Sequence, residues 1–86
     1  MARNEVKLFK ALADETRLSI VEFLEDGEKC VCKIIPMTGK SQPTVSQHLR
    51  ILSEAGILES RKEGTNIYYK IRDRKVTDAI KILSKQ

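Results

Sequence analysis

The stretch Ser41–Leu58, SQPTVSQHLRILSEAGIL, decides how the chain is read. Ser41 offers an N-cap oxygen, and Pro43 stands in the first turn, where its missing N–H does no harm. A helix then runs to Ala55, with Gly56 as its stop. Val45, Leu49 and Leu52 fall on one side and form a stripe to be buried. The opposite side carries Pro43, Gln47, Arg50 and Glu54, flanked by Gln42 and Ser46. An apolar side seats such a helix on its domain. The outer side presents short donors and acceptors of the size that reaches base edges in a major groove: Ser41, Gln42, Thr44, Ser46, Gln47 and Arg50. The helix N-terminus also points backbone N–H groups at phosphate. His48, on the flank of the buried stripe, reads as a hydrogen-bonded side chain packed at the helix edge, with a phosphate contact as the alternative.

Downstream, two short β-prone runs, Ile57-Leu58 and Ile67–Ile71, enclose the polar stretch 59–66 with Gly64 in it. They read as a two-stranded hairpin. The hairpin carries Arg61, Lys62 and Lys70, suited to phosphate or a minor groove, with Thr65 and Asn66 near its tip. Tyr68 and Tyr69 alternate across a strand, so one faces the core and the other the hairpin surface. From Arg74 to about Lys85, Val76, Ala79, Ile80 and Leu83 keep helical spacing.

Upstream, Cys30–Met37 is a short apolar segment. Pro36 disfavours a regular helix through its own end, and Gly39 marks a turn. Before it, Asp14 caps a helix running to about Glu25, with Leu18, Val21 and Leu24 in register and Asp26-Gly27 as the stop. A first helix, Glu5 to about Ala13, places Val6, Phe9 and Ala13 on one stripe. Helix, helix, short helix, turn, polar-faced helix, basic hairpin and helix is the plan of a winged helix-turn-helix. The expected fold is mainly α, with about five helices and a two-stranded wing, in one domain over residues 1–86.

Composition bounds the function. Of 86 residues, 33% are charged and 41% apolar, which fits a soluble folded chain. A chain this short buries only a little over about 60% of its unfolded surface, so a partner subunit is expected. No apolar run reaches membrane-spanning length, and MARNEVKLFK has no apolar core of a secretory signal. One His and no Trp leave little for a catalytic cleft, so an enzyme is not expected. The net charge is +4, and all of that excess lies in residues 40–75, where eight basic side chains face four acidic ones. A localised positive excess suits a polyanion, and with the outer helix face and basic hairpin beside it that polyanion is double-stranded DNA. The rivals are a winged-helix module for protein or RNA contacts and a small thiol–disulfide protein.

Three motifs in order carry a resemblance. LFKALADETRLSIVEFL (Leu8–Leu24), SQPTVSQHLRILSEAGIL (Ser41–Leu58) and RKEGTNIYYKI (Arg61–Ile71) are similar to those of the ArsR/SmtB family of dimeric winged-helix repressors. The resemblance implies a cytoplasmic homodimer that binds an imperfect palindrome and leaves it when an inducer binds. It implies DNA contacts at Ser41, Gln42, Thr44, Ser46, Gln47 and Arg50, with a wing through Arg61, Lys62, Thr65 and Asn66. It implies a dimer interface from the first and last helices, here Val6, Phe9, Ala79, Ile80 and Leu83.

Cys30-Val31-Cys32 resembles the family's thiolate box for arsenite, antimonite or soft divalent metals. Thiolates are soft ligands that thiophilic ions prefer, so As(III) or another thiophilic ion is the expected inducer, with no cofactor required. This box departs from the family's at Lys29 and Lys33, and no third thiol follows. On a regular helix, side chains two residues apart diverge by about 200°, so chelation by both thiols needs an extended or distorted backbone. A thiol-redox switch and a purely structural pair remain the alternatives. The last helix has no His and the N-terminal arm no Cys, so the family's other metal arrangements are not expected.

Overall fold

Caps written into the sequence delimit the helices of the computed structural model, which describes residues 4–85. Helix α1 spans Asn4–Leu12 and α2 Glu15–Phe23; strand β1 is Lys29–Cys30; α3 is Val31–Thr38 and α4 Gln42–Glu54; strands β2 and β3 are Leu58–Glu63 and Asn66–Ile71; α5 is Arg74–Ser84. Asp14 caps α2 by accepting the Arg17 N–H at 3.0 Å, and Asp73 caps α5 by accepting the Lys75 N–H at 3.0 Å. Each satisfies a backbone donor that the first turn leaves without an intrahelical partner. Ser41 holds the N-cap position of α4, but its hydroxyl donates to Thr44 Oγ1 at 3.0 Å and makes no side-chain bond to the backbone.

Two expectations are corrected. The wing sheet has three strands, not two: β1 joins β3 on the side away from β2, giving the order β1-β3-β2 with all pairs antiparallel. Two residues are too few to show a period of two, so β1 has no sequence signature. Helix α3 also continues past Pro36 to Thr38. Proline excludes a helix interior because it lacks an N–H and crowds the carbonyl four residues back. Here it sits in the last turn, and Gly39, left-handed at φ 68°, ends the helix with its N–H on the Pro36 carbonyl. The buried side of α1 is Ala11, with Leu8 and Leu12 half-buried, whereas Val6 and Phe9 are 46% and 62% exposed.

Ile20 and Val21 of α2 with its C-cap Leu24, Ile34 of α3, and Val45, Leu49 and Leu52 of α4 form the centre of one core with Ile57, Leu58, Ile71 and Val76. Complete burial of the α4 stripe fixes which way that helix faces. Thr77, the buried polar side chain of α5, donates to the Arg74 carbonyl at 2.9 Å and leaves no unmet hydrogen bond. Among the described residues no helix is long and apolar enough to cross a membrane.

Candidate nucleic-acid interface

With Val45, Leu49 and Leu52 turned inward, Ser41, Gln42, Thr44, Ser46, Gln47 and Arg50 are all exposed. Thirteen residues make α4 about 20 Å long, enough to lie along several base pairs of a major groove. Arg50 Nε donates to Glu54 Oε2 at 3.2 Å, one turn along the same face. That pair is largely solvated, and solvated ion pairs yield readily to a better anion. The helix can therefore release Arg50 to a phosphate or a guanine edge.

The wing packs against α4 through β2. Its tip is the two-residue turn Gly64-Thr65 between Glu63 and Asn66, with Gly64 at φ 64°, a conformation that side chains with a Cβ rarely adopt. Lys62, Thr65 and Asn66 are exposed at this end, and Lys62 makes no ion pair among the described residues. Arg61 is placed differently. Its guanidinium forks onto Glu28, with Nε to Oε2 at 2.9 Å and Nη2 to Oε1 at 2.8 Å. Nη1 donates to Glu63 at 2.8 Å, and the group lies 4.6 Å from the centre of the Tyr68 ring. The fork holds the Glu28 carboxyl below the ordinary carboxylate range and raises the pKa of Arg61. Arg61 thus straps the wing to the segment that leads into β1. Tyr69 turns to the core, where burial pushes its phenol up, and Tyr68 keeps to the surface beneath Arg61.

Cys30 and Cys32 lie at the junction of wing and helix. Cys30 is both the last residue of β1, paired with Tyr68, and the N-cap of α3, with extended backbone at φ −66° and ψ 143°. That break in the helix removes the divergence expected of two thiols two residues apart. The two sulfurs are paired as a disulfide, with Cα atoms 5.1 Å apart, and the Cys32 N–H donates to Cys30 Sγ at 3.1 Å. Cys30 is buried and Cys32 exposed. Both sulfurs sit at the N-terminal end of α3. The Lys29 ammonium pairs with Asp26 at 2.6 Å, which lowers that carboxyl, and lies 5.1 Å from the centre of the Phe23 ring. Among the described residues no three His, Cys, Asp or Glu side chains gather to hold a metal ion.

The pattern of the arsR family of bacterial regulatory proteins matches residues 14–60, which is α2 through the start of the wing. The chain belongs to the arsR family. It is 51% identical over 78 residues to an uncharacterized HTH-type transcriptional regulator of Methanocaldococcus jannaschii, covering 90% of this chain and 88% of that one. It is 44% identical over 79 residues to the arsenical resistance operon repressor of Escherichia coli, covering 91% of this chain and 68% of the relative. Among solved structures, it superposes on the homodimeric winged helix-turn-helix DNA-binding domain of a possible ArsR-family regulator from Mycobacterium bovis. The TM-score is 0.85 at 35% identity, covering 93% of this chain and 74% of that one. This ArsR-family protein is a DNA-binding transcriptional regulator and not an enzyme.

The two terminal helices of this regulator enclose an apolar groove of about 440 Å³, lined by Leu8, Phe9, Leu12, Val76, Ile80 and Leu83 among others. Phe9 lines it from α1, and Val6 of the same helix is exposed. From α5, Ala79 is exposed and Leu83 is 71% exposed, while Ile80 also packs on the chain's own core. Ile82, 72% exposed, was not singled out in the sequence because it lies off the Val76–Leu83 stripe. Two further residues escaped sequence reading, Glu28 and Arg17, because their partners lie more than 30 positions away. The expected hydrogen bond of His48 is to Arg17: Nη1 lies 3.1 Å from His48 Nδ1.

Proposed function

We propose that the protein is a homodimeric repressor that binds an imperfect palindrome through α4 and the wing and is released by As(III) or a similar thiophilic ion at Cys30 and Cys32. A repressor acting on such an operator works in the cytoplasm. In this reading Ser41, Gln42, Thr44, Ser46, Gln47 and Arg50 meet the major groove, and Lys62, Thr65 and Asn66 meet backbone or minor groove. Arg61 reaches DNA only by leaving Glu28, so its first role is to hold the wing. Val6, Phe9, Ala79, Ile80 and Leu83 meet a second copy, and the two recognition helices then stand about 34 Å apart, one turn of B-DNA.

The observation that carries the inducer assignment is the position of Cys30, which ends a wing strand and starts α3 at once. An ion held by the reduced Cys30 and Cys32 pulls on both: on β3 through the Cys30–Tyr68 pairing, and on α3, whose end is separated from α4 by a short turn. The name of the Escherichia coli relative, an arsenical resistance operon repressor, supports the same ligand class. The sulfur pairing supports a second reading, in which oxidation of the two thiols, with an external disulfide or peroxide as electron acceptor, gives the release signal.

The test is fluorescence anisotropy of the reduced protein on duplex DNA from upstream of its own gene, with arsenite and then with an oxidant. Release by arsenite, lost in the Cys30→Ser/Cys32→Ser double variant, is the expected result. Release by oxidant alone would select the redox reading. Tight binding indifferent to both would leave the cysteines structural.

A further inference from the structure

Arg17 lies in the first turn of α2, and its side chain reaches out of that helix in two directions. Nε donates to the Ala11 carbonyl at 2.6 Å and Nη2 to the Lys10 carbonyl at 3.4 Å, both at the end of α1. Nη1 lies 3.1 Å from His48 Nδ1 on the inner flank of α4. The Arg17 backbone N–H meanwhile donates to Asp14, whose carboxylate lies 4.0 Å from the same ring nitrogen. One guanidinium therefore joins α1, whose Phe9 lines the apolar groove, to the helix that carries the DNA-facing side chains.

The chemistry of this contact admits one protonation state. A guanidinium only donates hydrogen bonds and keeps its charge at any working pH. His48 Nδ1 must therefore accept, so the ring is neutral with its proton on Nε2. A proton on Nδ1 would place two donors against each other and two positive charges about 3 Å apart. Asp14 offsets part of that repulsion but cannot restore the hydrogen bond. Among the described residues the charged partners of the ring are Arg17 and Asp14: α1 offers carbonyls through Arg17, and on α4 Arg50 and Glu54 pair with each other on the outer face.

We propose that Arg17 and His48 are positioning residues for DNA recognition, forming a clip between the end of α1 and the flank of α4 that closes only on a neutral imidazole. Acidification then opens the clip and loosens the seat of α4, so specific affinity falls as pH drops. The sign is distinctive. A histidine that touched phosphate would strengthen binding on protonation, whereas this one weakens it. His48 is the sole histidine of the chain, and imidazole is the side chain that ordinarily changes charge between pH 5 and 8.

The test compares wild type and His48→Asn on the same upstream duplex between pH 7.5 and 5.5, each chain against itself. Asn keeps an acceptor near the Nδ1 position and does not titrate in this range. Wild-type affinity is expected to fall by about tenfold across the range, and the His48→Asn profile to stay flat. Thiols titrate alike in both chains and cancel in the comparison. Parallel profiles, or tighter wild-type binding in acid, would overturn the proposal. A second measurement needs neither DNA nor the variant: ¹⁵N NMR of the single imidazole at pH 7.5. A protonated Nε2 with an accepting Nδ1 is expected, and an Nδ1–H tautomer would overturn the clip. Failure of the duplex to bind at any pH would count against the operator reading, and the NMR result would still decide the clip.

Discussion

Gln47 and Arg50 carry the sharpest expectation at the scale of single residues. Both are exposed on α4 opposite a fully buried stripe, and neither supports the core. A side chain that reads a base edge contributes about 1–3 kcal/mol of discrimination, a tenfold to hundredfold change in affinity. Gln47→Ala and Arg50→Ala are therefore each expected to lower affinity for the specific duplex by about that factor. Binding to unrelated DNA should change much less, and sedimentation velocity should find the assembly state unaltered. Equal losses on specific and unrelated duplexes would make them phosphate contacts instead. Arg61 shows the opposite situation. Its three guanidinium nitrogens are engaged by Glu28 and Glu63, so the DNA contact expected of it requires it to leave them. Sequence could not separate Arg61 from Lys62, because the carboxylate that engages Arg61 lies 33 positions earlier.

At the scale of elements, the ends of helices were the most legible features and β1 the least. Asp14 and Gly39 each act through backbone groups within three residues, so local sequence carries their signal. Strand β1 exists only because β3 lies beside it, and no local pattern announces a two-residue strand. The direction of α1 was likewise hidden: its Val6–Phe9 and Leu8–Leu12 stripes are both apolar, and which is buried depends on α2 and α4. The extended Cys30 belongs to the same class, since pairing with Tyr68 holds it out of the helix and brings the two sulfurs together. The cap of α2 offers a direct test. Asp14→Ala removes the capping acceptor and is expected to cost about 1 kcal/mol, read from chemical denaturation. Asp14→Asn keeps an acceptor but removes the titration. The Arg17 N–H holds the Asp14 carboxyl below its ordinary 3.8, so the charge contribution is complete above that value and is lost as pH falls through the lower folded one. The stability difference between wild type and Asp14→Asn should therefore be widest above about pH 4 and shrink toward pH 2. A difference that grew in acid would contradict the assignment.

At the scale of the whole molecule, the chain measures 36 × 34 × 21 Å and carries one recognition helix. Reading two half-sites about 34 Å apart takes two copies. In the proposed dimer the pairing face is the groove between α1 and α5, which is lined by Phe9 and Leu83, each more than 60% exposed. That much exposed apolar surface on so short a chain is the mark of an interface. The positive excess of residues 40–75 lies in the segment holding α4 and the wing, so dimerisation through α1 and α5 leaves it open to DNA. The most direct single measurement is sedimentation velocity of wild type and Leu83→Glu with a fluorescein-labelled upstream duplex, intact or with one half-site scrambled. Two wild-type chains should bind each intact duplex, with affinity collapsing when one half-site is scrambled. Leu83→Glu should sediment as a folded monomer that binds both duplexes equally weakly. One chain per duplex, indifferent to scrambling and to Leu83→Glu, would contradict a two-fold regulator built on this face.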